Sequence, residues 1–219
     1  MSFGKIDYIN LLPFYVFLKK YFKSSQQKSM IEKNSTYPSN INKMFQKKQI
    51  DGAFISSIKA QHKTCIDIGI VSSKEVLSVL NIKEGLQQFD YHSNTSNILS
   101  KILTTNGKII IGDEALKIYF QDRDKEFEDL GRLWFDRYKL PFVFATLCCT
   151  KHKKIYQNIS KNFLKRKIKI PQYILNHHAS KVGLTTKQIR FYLTKISYTI
   201  GYKEKKSLNL FWKLAKKTK

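Results

Sequence analysis

Asn10 and Ser78 are polar residues in apolar surroundings, which makes both candidates for chemistry. Asn10 lies between Ile9 and Leu11 at the end of a strand-like segment, so its amide is partly buried and must find hydrogen bonds. Ser78 is the one polar residue within Val76 to Leu80, and its hydroxyl either bonds backbone or points into a cleft. On the residues alone, a turn or cap for Asn10 and a structural hydroxyl for Ser78 are the simpler readings. Thr95, Ser96 and Asn97 precede Ile98, Leu99, Ile102 and Leu103. Hydroxyls beside the free N–H groups of a helix start suit a carboxylate, although an ordinary N-cap uses the same residue types. Ser56 and Ser57 offer a second set of donors of this kind. Asp113 and Glu114 follow Gly112 and invite an acid/base reading, yet neighbours on a helix do not face each other. Carboxylates also favour that end of the helix dipole, so a structural first turn is expected, with Asp113 bonding loop amides.

Other chemistries find little support. His62, His92, His152, His177 and His178 show no metal-ligand spacing, and no metal is expected. Gly-rich phosphate loops, GxSxG and HExxH are absent from the sequence, which disfavours nucleotide hydrolysis, acyl transfer and zinc proteolysis. Cys65, Cys148 and Cys149 form no CxxC or Cys/His pattern and are expected to be reduced, buried, small apolar residues.

The elements that must position these residues alternate between strand and helix. Gly4 to Ile9 is strand-like, and Phe14, Phe17, Leu18, Tyr21 and Phe22 then fall on one helix face, with Pro13 suited to its first turn. Ile50 to Ile55 is a short strand ending at Ser56 and Ser57, and Ile66 to Val71 and Val76 to Ile82 are apolar enough for central strands. A helix from about Thr95 to Leu103 is followed by a strand at Lys108 to Ile111. There the β-branched run stops at Gly112, at the polar strand end where α/β proteins place ligands. Leu140 to Leu147 is again a strand. Four helices follow: about Ile155 to Lys165, Pro171 to Lys181, Thr186 to Ile200, and Lys205 to Lys216. Alternation of this kind predicts an α/β fold with mainly parallel sheets.

With 219 residues, 42% of them apolar, the chain can bury a core. Its net charge of +24 raises nucleic acid or an anionic surface as partners. Residues 151 to 219 hold 19 of the 40 Lys and Arg and one acid, Glu204. Lysine supplies 35 of the 40, whereas arginine is the residue that reads bases bidentately, so a solvated surface is preferred over a specific nucleic-acid site. Lys19 and Lys20 interrupt the apolar run from Leu11 to Phe22, and no charged n-region opens the chain. A cytoplasmic protein without membrane insertion is expected; composition is neutral on oligomeric state.

Five segments in one order carry a family resemblance: YINLLPF at 8 to 14, DGAFISSI at 51 to 58, NTSNILSKIL at 94 to 103, IIIGDEAL at 109 to 116 and DLGRLWFDRYKLPFVFA at 129 to 145. Together they resemble the chorismate dehydratases of the futalosine route to menaquinone, over residues 3 to 149. The C-terminal third shares only a YL and an LxxFW pattern. The resemblance implies a two-lobed, periplasmic-binding-protein-like (type II) fold with two crossing strands, near Val76 to Ile82 and Leu140 to Leu147. Residues 1–79 and 147–219 would form lobe one, and 80–146 lobe two. It also implies elimination of water from chorismate to 3-[(1-carboxyvinyl)oxy]benzoate without a cofactor. Asn10 and Ser78 would be catalytic, Ser56, Ser57, Thr95, Ser96 and Asn97 would bind substrate, and Gly112 and Asp113 would support the site. Two other classes stay open: a non-catalytic small-anion binding protein of the same fold, and a nucleic-acid-binding protein presenting the helix Thr186 to Ile200.

Overall fold

The computed structural model describes residues 2–32, 34–91, 93–122 and 124–218. After β1 (Phe3–Gly4) and a 3-10 turn at Ile9–Leu11, the chain enters α1 (Leu12–Tyr21), whose residues Leu12 to Leu18 are all buried. A helix apolar on every side belongs in the centre of the fold, and Pro13 in its first turn sacrifices only an N–H that had no partner. Next come α2 (Ser25–Glu32), α3 (Pro38–Gln46), β2 (Gly52–Ser56), the single turn α4 (Ser57–Ala60) and β3 (Cys65–Ser72). The chain then crosses to a second sheet through β4 (Val79–Ile82), α5 (Asn94–Leu103), β5 (Lys108–Ile111), α6 (Gly112–Gln121), β6 (Phe127–Asp129) and α7 (Leu130–Tyr138). It returns along β7 (Phe142–Cys149) and finishes with α8 (Lys153–Leu164), α9 (Gln172–Val182), α10 (Thr186–Leu193), β8 (Ile196–Thr199) and α11 (Tyr202–Lys217).

The first sheet has the order β1-β2-β7-β3-β8 and the second β5-β4-β6. Among the described strands only β1 and β2 pair in parallel. The expected parallel sheets are therefore corrected: β7, returning from the second sheet, inserts antiparallel between β2 and β3, and β4 separates β5 from β6 in the same way. Alternation of elements specifies which strands share a direction but not which become neighbours.

Three further expectations change. The strand expected at Gly4 to Ile9 stops after Gly4, where an added Cβ would lie 2.5 Å from the Ile50 side chain. The helix expected at Thr186 to Ile200 divides into α10 and β8, because Ile196 to Thr199 completes the open edge of the first sheet beside β3. Cys65 and Cys148 are joined by a disulfide rather than free. They lie directly opposite on β3 and β7, a cross-strand register invisible across 83 residues of sequence, and Cys149 alone keeps a buried thiol. Among the described residues no helix is long and apolar enough to cross a membrane.

Candidate active site

A cavity of about 70 Å³ lies where β2 and β5 end, closed by the 3-10 turn, the start of α5 and β7. Phe54, Ile70, Val76 and Phe144 give it apolar walls, and its polar groups are Tyr8, Asn10, Ser56, Ser78, Ser93, Thr95 and Ser96. Among the described residues no Asp, Glu, Lys, Arg or His lines it. The phenol of Tyr8 is pushed above its ordinary range by burial, then by Asp90 and Asp113, and stays protonated.

Three cavity hydroxyls are preset as donors. Ser56 accepts a 2.8 Å bond from the Asn42 amide, Ser78 a 2.8 Å bond from the Tyr192 hydroxyl, and Ser96 a 2.7 Å bond from the Ser93 hydroxyl. A hydroxyl has one proton and two lone pairs. With one lone pair used by the protein, each serine keeps its proton for an acceptor in the cavity. Thr95 does the same, accepting the Ile58 N–H at 3.2 Å and thereby tying α5 to α4. Four O–H donors with apolar walls suit an uncharged oxygen or a carboxylate on a compact ring.

Local structure explains the placement of Ser78. It sits just ahead of β4, not inside a strand as expected, and Leu77 before it adopts φ +58. Leucine pays for that left-handed conformation with backbone strain. The Asp129 carboxylate holds it there, accepting from Val76 N–H at 3.0 Å, Leu77 N–H at 2.7 Å and Arg132 N–H at 3.0 Å while capping α7. The Ser78 carbonyl accepts the Gly112 N–H at 2.8 Å. Gly112, at φ +67, has room for no side chain, since an added Cβ would lie 2.9 Å from the Tyr8 ring. Asn10 occupies the 3-10 turn, and its carbonyl accepts a 2.7 Å bond from the Tyr198 hydroxyl.

The structure thus brings together Asn10, Ser56, Ser78, Thr95, Ser96 and Gly112. It leaves Ser57, Asn97 and Asp113 outside the lining. Ser57 is fully buried with its hydroxyl donated to the Val143 carbonyl at 2.5 Å, and α4 behind it is a single turn with little dipole. Asn97 faces away and grips the backbone of Asp90 with both ends of its amide, at 2.7 and 2.9 Å. The N-cap of α5 is Ser93, one turn position earlier than the expected start. Asp113 lines a neighbouring pocket that shares Tyr8 and Ile111 with the cavity, and its carboxylate accepts the Ile9 N–H at 3.3 Å; burial raises its carboxyl to about 6, against the pull of that N–H and of Lys181. His62, His152, His177 and His178 gather no metal-binding cluster among the described residues, and His92 lies outside them. Tyr192, Tyr198 and Asp129 were not anticipated as site residues. The sole signal for the first was the YL pattern, which is Tyr192–Leu193.

Two sheets joined by two crossings around such a cavity define a periplasmic-binding-protein-like fold. Solved structures agree: protein AF1704 from Archaeoglobus fulgidus superimposes with a TM-score of 0.70 at 12% identity, covering 99% of this chain and 96% of that one. A Candida albicans gene product described as having the generic periplasmic binding protein fold gives 0.50 at 10% identity, covering 100% and 94%. The sequence model for menaquinone biosynthesis matches residues 1–108 and 87–217, and the chain belongs to that family. A Campylobacter jejuni protein named chorismate dehydratase is 45% identical over 219 residues, 99% of this chain and 98% of its own length.

Proposed function

We propose that this chain is a chorismate dehydratase, a hydro-lyase that eliminates water from chorismate to give 3-[(1-carboxyvinyl)oxy]benzoate. The observation that carries the reading is the 45% identity to the Campylobacter jejuni chorismate dehydratase across essentially both full lengths. In this reading residues 1–79 with 147–219 form one lobe and 80–146 the other, and the protein acts in the cytoplasm.

Aromatisation of the ring supplies the driving force, so the protein must orient the ring, help one proton off and help the hydroxyl leave. The cavity supports a scheme in which the substrate is its own base. Among the described residues its lining holds no carboxylate, imidazole or amine, so the enolpyruvyl carboxylate of chorismate, held against the ring, takes the ring proton. Asn10 and Ser78 hold the reacting ring, the Ser78 proton meeting the departing oxygen. Ser56, Thr95 and Ser96 direct their protons at substrate carboxylates. The cavity of about 70 Å³ is about half of what admits a benzene-sized guest, so the lobes part to admit chorismate and close on it.

Incubating purified protein with chorismate and following the product by ultraviolet absorbance and mass spectrometry tests the reading. An aromatic enolpyruvyl product, 18 mass units lighter by loss of one water, is expected; unchanged chorismate refutes it. Binding of chorismate without turnover would instead establish the small-anion binding protein.

A further inference from the structure

We infer that Tyr192 is a positioning residue that fixes the Ser78 hydroxyl and turns its proton toward the cavity. This rests on the reaction proposed above. Tyr192 lies on α10, is buried, and does not line the cavity, so it acts only through its neighbours. Its hydroxyl donates to Ser78 Oγ at 2.8 Å. A phenol has one proton, and Tyr192 gives it to Ser78.

The two groups therefore form a directed chain: Tyr192 hydroxyl to Ser78 hydroxyl, and Ser78 proton into the cavity. The phenol polarises the serine, which strengthens the terminal donor in a low-dielectric site. Burial keeps the phenol protonated, so the direction is constant across ordinary pH. Tyr198 in turn fixes the backbone carbonyl of Asn10. Both tyrosines come from the C-terminal third, on α10 and β8. This assigns a task to the segment that carries the large charge excess. The task depends on its buried face and not on its lysines.

The test is Tyr192→Phe, which keeps the ring that fills the core and deletes only the hydroxyl. Three readouts are taken well below the melting temperature: kcat and KM for chorismate, the same constants in a Ser78→Ala background, and crystal structures of wild type and variant. A tenfold to hundredfold fall in kcat is expected with KM changed less than about threefold, as for an interaction that matters in the transition state. In the Ser78→Ala background the same substitution should cost less than about twofold, because its effect passes through that hydroxyl. The Ser78 side chain should leave its wild-type rotamer. Wild-type kcat in Tyr192→Phe, losses that multiply fully with Ser78→Ala, or an unmoved Ser78 side chain would each overturn the assignment. The structural readout decides it even if wild-type protein fails to dehydrate chorismate, an outcome that refutes the proposed reaction instead.

Discussion

The Asp129 carboxylate accepts the Leu77 N–H at 2.7 Å, and this bond holds a leucine at φ +58 immediately before Ser78. Burial pushes the Asp129 carboxyl up while the N–H groups of Arg132, Leu77, Val76 and Gly131 pull it down. A buried acceptor serving several donors is costly to remove. Asp129→Asn leaves one good acceptor oxygen, and we expect a loss of about 1.5–3 kcal/mol of stability, by analogy with bonds to charged groups. Turnover should fall as well, since the backbone that aims Ser78 is released. Urea unfolding and steady-state kinetics check both; a stability loss with wild-type kcat would show that Ser78 is placed by other contacts.

Ser96→Ala separates a substrate donor from a helix cap. The cap of α5 is Ser93, which accepts the Ser96 N–H at 3.1 Å and survives the change. Loss of a charge-assisted bond to a substrate carboxylate costs about 1.5–3 kcal/mol, which is roughly 10- to 150-fold in affinity. KM should therefore rise by that range with the melting temperature nearly constant. Thr95→Ala should raise KM and also lower stability, because it breaks the Ile58 contact. An unchanged KM in Ser96→Ala would retire the carboxylate role.

What the sequence revealed of this site follows the range of each signal. Ser56, Asn10 and Gly112 stand where an apolar run gives way to a polar residue or glycine, a purely local event, and all three line the cavity. Ser57 and Asn97 carry the same local signal but bond elsewhere, because the carbonyl of Val143 and the backbone of Asp90 arrive from distant or looped segments. Tyr192 lies 114 residues from Ser78 and 182 from Asn10, and its apolar helical spacing with Ile189 looks like ordinary core. The β8 strand was hidden for a related reason: Ile196 continues the helical period of Ile189 and Leu193, and only the vacant edge of β3 converts it to a strand.

Asp113 should make stability depend on pH. Its folded value of about 6 lies above the ordinary 3.8, so between those limits the folded protein binds more protons than the unfolded chain. Stability contributed by this group is thus full at low pH and falls as pH rises through the window. The shift corresponds to about 3 kcal/mol at most. Asp113→Asn keeps an acceptor for the Ile9 N–H but cannot ionise. The variant should match wild type near pH 4 and become more stable by about 2–3 kcal/mol above pH 6.5, as read by urea unfolding across that range. A variant less stable than wild type at neutral pH would mean that the ionised carboxylate is the favoured form, held by Ile9 and Lys181.

Asn10→Asp tests catalysis most directly. The change keeps the shape of the side chain but places a carboxylate beside a dianionic substrate and removes the amide donor. Activity should fall by at least about 2.7 kcal/mol, or 10²-fold, the usual worth of one preorganised donor. Ser78→Ala should also slow turnover with little loss of stability, since removing one hydroxyl opens no large cavity. The substrate-assisted scheme adds a requirement that no variant can test: a chorismate analogue lacking the enolpyruvyl carboxylate must bind and remain unreacted. Near-normal turnover of that analogue would place the base on the protein. Asp113 would be the first residue to examine, because its raised pKa suits proton transfer near neutral pH and it lines the neighbouring pocket that shares Tyr8 and Ile111 with the cavity.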